Sequence, residues 1–225
     1  MYTWGRGFEG QTGHASKALS AAQNDVVTAV QLLPKCVSMF VKHPISCVAC
    51  GHNFTAITTV AGAVYTWGEG GSGQLGTGRC TKRAVPALVF DKCPATGEPF
   101  VSVECGWGHT LALTKEGTVY SWGLNTYGQL GLGDTKTRHT PECILGKSGE
   151  GVVDPVTGHK ANFVRVKAAS NYSMCMTSDG DLYVMGCNGG SQLGLDDAEH
   201  RFEPTFVEEL RGKVSERRTR RSRSA

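Results

Sequence analysis

The sequence predicts an all-β fold made of about four copies of one unit. Three observations carry that reading. An aromatic strand closed by glycine occurs four times, as Tyr2-Thr3-Trp4-Gly5, Tyr65-Thr66-Trp67-Gly68, Tyr120-Ser121-Trp122-Gly123 and Tyr183-Val184-Met185-Gly186. A glutamine follows the closing glycine by six residues each time, at Gln11, Gln74, Gln129 and Gln192. The tyrosine anchors are spaced by 63, 55 and 63 residues. Self-similarity at such a period is the mark of a repeat array, and it fixes the frame for every other motif.

Each later anchor is preceded by a second strand. Cys50, Cys105 and Ala168 stand fifteen residues before their tyrosines, in a slot that suits a small buried residue at a strand start. Gly62, Gly117 and Gly180 lie three residues before the same tyrosines and supply hairpin turns, where positive φ is needed. Thr110 to Thr114 and Thr118 to Trp122 are rich in β-branched and aromatic residues, so the unit reads as strand, tight turn, strand. The run Gly106 to Gly123, with His109-Thr110, and the turns Gly73 to Gly76 and Gly128 to Gly131 resemble the RCC1 (regulator of chromosome condensation) repeat family over nearly all of residues 1–210. The resemblance implies an RCC1-like β-propeller. Members of that family usually close with seven blades, so about four repeats make an incomplete, open arc. The count leaves three forms open: part of a longer propeller protein, a stable arc with capped ends, or a pair of copies completing a ring.

Taken in order, Met1 abuts the first anchor, whose preceding strand is missing. His14 to Thr28 read as a polar surface loop. Val37 to Val41 and Ile45 to Ala49 read as strands entering the second unit. Pro34, Pro86, Pro141 and Pro204 precede connections or strands, where the missing N–H is tolerated. Asp91 to Pro99 and Gly146 to Lys160 are longer insertions, expected on one face of the array. Residues 203–210 look like the opening of another unit. Residues 211–225 form a basic tail, expected to lack structure.

Composition agrees with turn-dense β structure. Glycine contributes 30 of 225 residues, above the usual share of about 7%. The net charge is +3, but five arginines (Arg217, Arg218, Arg220, Arg221 and Arg223) fall in the last nine residues, and without them the body is at −2. No run of 18 apolar residues predicts a membrane helix, and no charged-then-apolar leader predicts secretion. Nine cysteines then read as reduced thiols, and a cytoplasmic or nuclear location is expected. Cys47 and Cys50 have CxxC spacing, but no second pair completes a zinc set.

No catalytic constellation, metal set or cofactor motif is found, and the expectation is a non-enzymatic protein with no cofactor. His109 shares its slot with Phe54 and Tyr172, which favours packing. Trp4, Trp67 and Trp122 read as core aromatics, and Gly68, Gly123, Gly186, Gln74, Gln129 and Gln192 as structural anchors of the repeat. Trp107 shares its slot with His52 and Ser170, and is the candidate binding residue, since tryptophan is enriched at interface hot spots. Plant ultraviolet-B receptors of the family carry tryptophans in a similar context, but Trp107 is single and Gly108 replaces the arginine. The arginines of the tail are candidates for a nuclear-localisation signal or for contacts to nucleic-acid phosphates. The resemblance implies a protein-binding scaffold. It also admits guanine-nucleotide exchange on a small GTPase of the Ran type with chromatin association, although the exchange wedge cannot be carried over residue by residue. Exposed ends of an open arc add self-association as an expectation.

Overall fold

The computed structural model describes residues 1–14, 30–146, 149, 151–211 and 213. The loop expected over 14–28 falls, past His14, outside the described residues. So does the arginine tail.

Antiparallel strands form one two-stranded and three four-stranded sheets among the described residues. The first sheet pairs β1 (Tyr2–Arg6) with β2 (Val30–Cys36). The second is β3 (Ile45–Cys50), β4 (Phe54–Thr59), β5 (Val64–Gly68) and β6 (Arg83–Phe90). The third is β7 (Phe100–Cys105), β8 (His109–Thr114), β9 (Val119–Gly123) and β10 (Arg138–Cys143). The fourth is β11 (Phe163–Ala169), β12 (Tyr172–Thr177), β13 (Leu182–Gly186) and β14 (Arg201–Phe206). Within each four-stranded blade neighbouring strands are consecutive in sequence, so each is a simple meander, with tight turns joining the first three strands and a long turn before the fourth.

The predicted anchors form the third strand of each blade. Each closing glycine takes positive φ, +112° at Gly68, +104° at Gly123 and +109° at Gly186. A Cβ on Gly123 would lie 2.5 Å from the Gly108 carbonyl oxygen and 2.8 Å from the His109 Cα. Glycine is therefore required by both backbone sterics and strand approach. The prolines lie inside the outermost strands, at the point where the register slips, as between Ala87 and Arg83 opposite Thr66 and Gly68. Pro141 and Pro204 occupy the same kind of irregularity. An edge strand with a bulge loses little from a missing donor, and the bulge discourages further pairing.

The apolar core lies between blades rather than within one. Phe54, Ala56, Val64 and Leu75 of the second sheet pack on Phe100, Val103, Tyr120 and Trp122 of the third. Leu111, Leu113 and Val119 pack on Phe163, Val166, Tyr183 and Met185 of the fourth. The first strands β3, β7 and β11 contact one another in turn along one edge of the arc.

Four expectations need correction. Residues 203–210 do not open another unit, since Arg201–Phe206 completes the fourth sheet as its outermost strand and Glu208–Leu210 is a short 3-10 turn. Val37 to Val41 is not a strand, since Ser38–Phe40 is a short 3-10 turn that sinks Phe40 against Trp67 and Tyr65. The strand lies earlier, at β2. Cys50 ends β3 rather than starting a strand, and it is exposed beside a first sheet that holds β1 and β2 among the described residues. Trp4 is 63% exposed and not a core residue, whereas Trp67 and Trp122 are fully buried.

Candidate interaction surface

The turns sort onto two faces. Turns between the first and second strands meet the long turns after the third strands, as the backbone bonds from Glu69 N to Asn53 O, Leu124 N to Gly108 O and Cys187 N to Asn171 O show. The opposite face holds the tight hairpins and both insertions, through bonds such as Phe100 N to Gly62 O and Ser178 N to Asn162 O.

The repeated glutamine is a hinge between blades. Its side chain folds back, with Gln74 Oε1 accepting from Ser72 N at 2.9 Å and Gln129 Oε1 from Tyr127 N at 2.9 Å. This frees its main-chain carbonyl for the next blade. The Gln74 carbonyl accepts from Thr110 Oγ1 and Trp122 Nε1, both at 2.9 Å. The Gln11 carbonyl accepts in the same way from Thr55 Oγ1 and Trp67 Nε1. At the next junction Ser173 Oγ reaches the Gln129 carbonyl at 2.8 Å, and Met185 fills the tryptophan's place. At the two ends of the series Trp4 and Gln192 are exposed, whereas Trp67, Trp122, Gln74 and Gln129 are buried.

His109 is part of this junction. Its Nε2 lies 2.9 Å from Ser173 Oγ. Ser173 spends its proton on Gln129, so His109 must be the donor and carries its hydrogen on Nε2. Nδ1 is buried without a partner, and a Cβ on Gly106 would come within 2.4 Å of it, so the ring is hemmed in. Burial lowers the His109 pKa to about 4, and the residue is a neutral packing group, as its shared slot with Phe54 suggested.

A second lock, not read from the sequence, braces the long turns. The buried Asn125 accepts from Leu130 N at 3.0 Å and donates to the Asp134 carbonyl at 2.9 Å. Asp134 then pairs with Arg138 at 3.0 Å. Asn188, Asp197 and Arg201 repeat the arrangement in the fourth sheet. Each aspartate is held below the usual carboxylate range, first by its hydrogen bond from the arginine. The signal was available, since both aspartates stand eleven residues after the closing glycine.

Trp107 sits on the turn face, 48% exposed. Its ring packs at a tilt against His52 of the neighbouring blade, with centroids 5.3 Å apart and planes 30° apart. Its amide donates to Ser170 O of the following blade at 2.8 Å. The three residues that share one repeat slot thus form a row across three blades. On that face the tryptophan's backbone is tied to one neighbouring blade and its ring packs against the other.

Among the described residues no group of three or more His, Cys, Asp or Glu side chains is placed to hold a metal ion, and no helix is long and apolar enough to cross a membrane.

Comparison with known proteins agrees with this geometry. The sequence profile described as the "Regulator of chromosome condensation (RCC1) repeat" matches residues 1–58, 61–113, 116–176 and 179–219, and a second profile of the same description matches 100–129. The matched unit is offset from the sheet: residues 61–113 contain β5 and β6 of one blade and β7 and β8 of the next. The human E3 ubiquitin-protein ligase HERC2 is 34% identical over 220 residues, 95% of this chain and 4% of that protein. The ultraviolet-B receptor UVR8 of Arabidopsis thaliana is 31% identical over 207 residues, 92% of this chain and 41% of the receptor. The RCC2 homolog of Xenopus laevis is 40% identical over 139 residues, 61% of this chain and 24% of its own length. The chain thus spans less than half of each of these relatives. Among solved structures, human WBSCR16 superposes with a TM-score of 0.70 at 23% identity, covering 92% of this chain and 52% of that one. Prp20p from Saccharomyces cerevisiae gives 0.69 at 19% identity, covering 92% and 45%. At these identities the superpositions show the fold.

Proposed function

The chain belongs to the RCC1 repeat family, and from that premise we propose that it is a protein-recognition scaffold whose turn face binds a partner protein through Trp107. The observation that carries the reading is the half-exposed Trp107, its ring packed at a tilt against His52 and its amide bonded to Ser170. A large aromatic already held in place loses little conformational entropy on binding, which is what hot-spot residues require. Its relatives support a recognition role, since the family module recurs in a ubiquitin-protein ligase and in an ultraviolet-B receptor.

The experiment is affinity capture with the purified chain and with Trp107→Ala, followed by quantification of each captured protein. A specific partner should be retained by the wild type and weakened about tenfold or more in the variant, the effect of losing a hot spot of about 2 kcal/mol. Equal retention by a variant with an unchanged melting curve would overturn the assignment of Trp107.

A small GTPase is the finer form of this proposal. The solved relative Prp20p is described by its binding to Gsp1p and histones. Acceleration of labelled GDP release from Ran by the chain would support it, and an unchanged release rate would remove it. Residues 1–210 are proposed as the recognition module, and Arg217, Arg218, Arg220, Arg221 and Arg223 as an accessory arm for nucleic-acid phosphates. Nucleic-acid binding that survives removal of residues 216–225 would exclude the arm.

A further inference from the structure

Of the three four-stranded blades, the third and fourth carry the lock that braces the long turns and the second does not. Arg83 is the register counterpart of Arg138 and Arg201, since each faces the closing glycine of its blade: Gly68, Gly123 and Gly186. The residue four before it should be the aspartate. In the second sheet it is Arg79. The asparagine of the lock is replaced by Gly70, and the leucine seen at 132 and 195 by Thr77. Three substitutions in one turn therefore remove the carboxylate and its asparagine brace, and add a second guanidinium and a hydroxyl.

The structure records the consequence. Arg83 Nε and Thr77 Oγ1 are buried without hydrogen-bond partners. Neither Arg79 nor Arg83 has a recorded salt bridge to a carboxylate among the described residues, while Lys82 pairs with Glu9. Thr77, Arg79 and Arg83 line a cleft of about 840 Å³, whose other wall includes Thr140 and Pro141 of the next blade. A guanidinium Nε–H buried without an acceptor is costly, and a carboxylate is the strong partner for a guanidinium.

We propose that this cleft between the second and third blades is a docking slot for a glutamate or aspartate side chain of a partner protein. The sister blades supply the template, since there the same arginine position receives a carboxylate, Asp134 on Arg138 and Asp197 on Arg201. In the second blade that carboxylate comes from outside the chain. The slot deepens the recognition reading by giving the chemistry of the partner, and in that sense rests on it.

The test is fluorescence anisotropy of a labelled glutamate-rich peptide and of its glutamine counterpart against the full chain, at low and moderate salt. The acidic peptide should bind and the amide peptide should not. Arg79→Asp, which restores the sister blades' carboxylate, should weaken binding about tenfold or more while melting no lower than the wild type. Arg83→Gln should weaken it similarly and serves if Arg79→Asp fails to fold. Lys92→Asp makes the same charge change on the opposite face and should have much less effect. Equal weakening by Arg79→Asp and Lys92→Asp would overturn the slot, because the attraction would then be diffuse. Displacement of the peptide by inorganic phosphate at lower concentration than by acetate would also overturn it, reassigning the site to a phosphoryl group. Failure of either kind leaves the Trp107 capture experiment untouched, so the two readings can fail separately.

Discussion

His109→Phe should make the protein less sensitive to acid. In the folded chain the imidazole titrates at about 4, while in the unfolded chain it returns to its ordinary value of 6.5. Because the folded pKa is depressed, the folded state binds fewer protons between those values. Its stability is therefore complete above about pH 6.5 and is lost as pH falls towards 4, where the loss levels off. Each unit of difference is worth about 1.4 kcal/mol, and the two states differ in bound protons over roughly two units of this interval, so going from pH 7 to 4.5 should cost the wild type about 2 kcal/mol through this residue. The group is completely buried, so solvent screening does not reduce the figure. Phenylalanine removes the titration. It also removes the bond to Ser173, at a cost of about 1 kcal/mol at pH 7. Ser173 keeps its bond to Gln129, and Phe54 already fills the equivalent slot against Gly51, as His109 does against Gly106. Urea denaturation of both proteins at pH 7 and 4.5 measures the difference directly. The surface aspartates of the turn locks titrate in both proteins and cancel. If the variant lost as much stability as the wild type over this interval, the neutral, boxed-in imidazole would be wrong.

Other outcomes follow from the junctions. Trp122→Ala should destabilise by about 3–5 kcal/mol, as expected for a buried indole, while Trp4→Ala should cost under about 1 kcal/mol, and chemical denaturation would separate them. Gly123→Ala should cost more than about 1–3 kcal/mol, since it combines a forbidden φ with a clash against the Gly108 carbonyl, and a fall in melting temperature would report it. Acrylamide should quench the fluorescence of Trp4 and Trp107 and spare Trp67 and Trp122, in line with their exposures of 63%, 48%, 0% and 0%. A single quenching class would contradict the arc.

The strands and hairpins were legible because their chemistry is local: an aromatic pair, a β-branched run and a turn glycine lie within a few residues. Gln74 and Gln129 were legible as anchors for the same reason, but their action was not. The side chain serves its own turn while the carbonyl serves the next blade, and a sequence pattern cannot show which atom bridges. Trp4 misled because its motif is intact while its burial depends on a neighbour. Val37 to Val41 misled because an apolar run serves a 3-10 turn as well as a strand when one ring, that of Phe40, carries the packing. The turn lock, with its exception at Arg79, needed only the register already in hand. It passed unnoticed because an isolated aspartate in a polar turn looks like ordinary surface.

The offset between the matched repeat and the sheet bears on how the protein is made. A chain leaving the ribosome completes residues 61–113 with two strands that close one blade and two that open another. The unit that is copied in the sequence is therefore never the unit that can bury itself. Each new repeat finishes its predecessor's sheet and leaves another half-built, with open strand edges waiting for the next fifty or so residues. The consequence is that nascent strand edges stay exposed to other chains until the following repeat arrives.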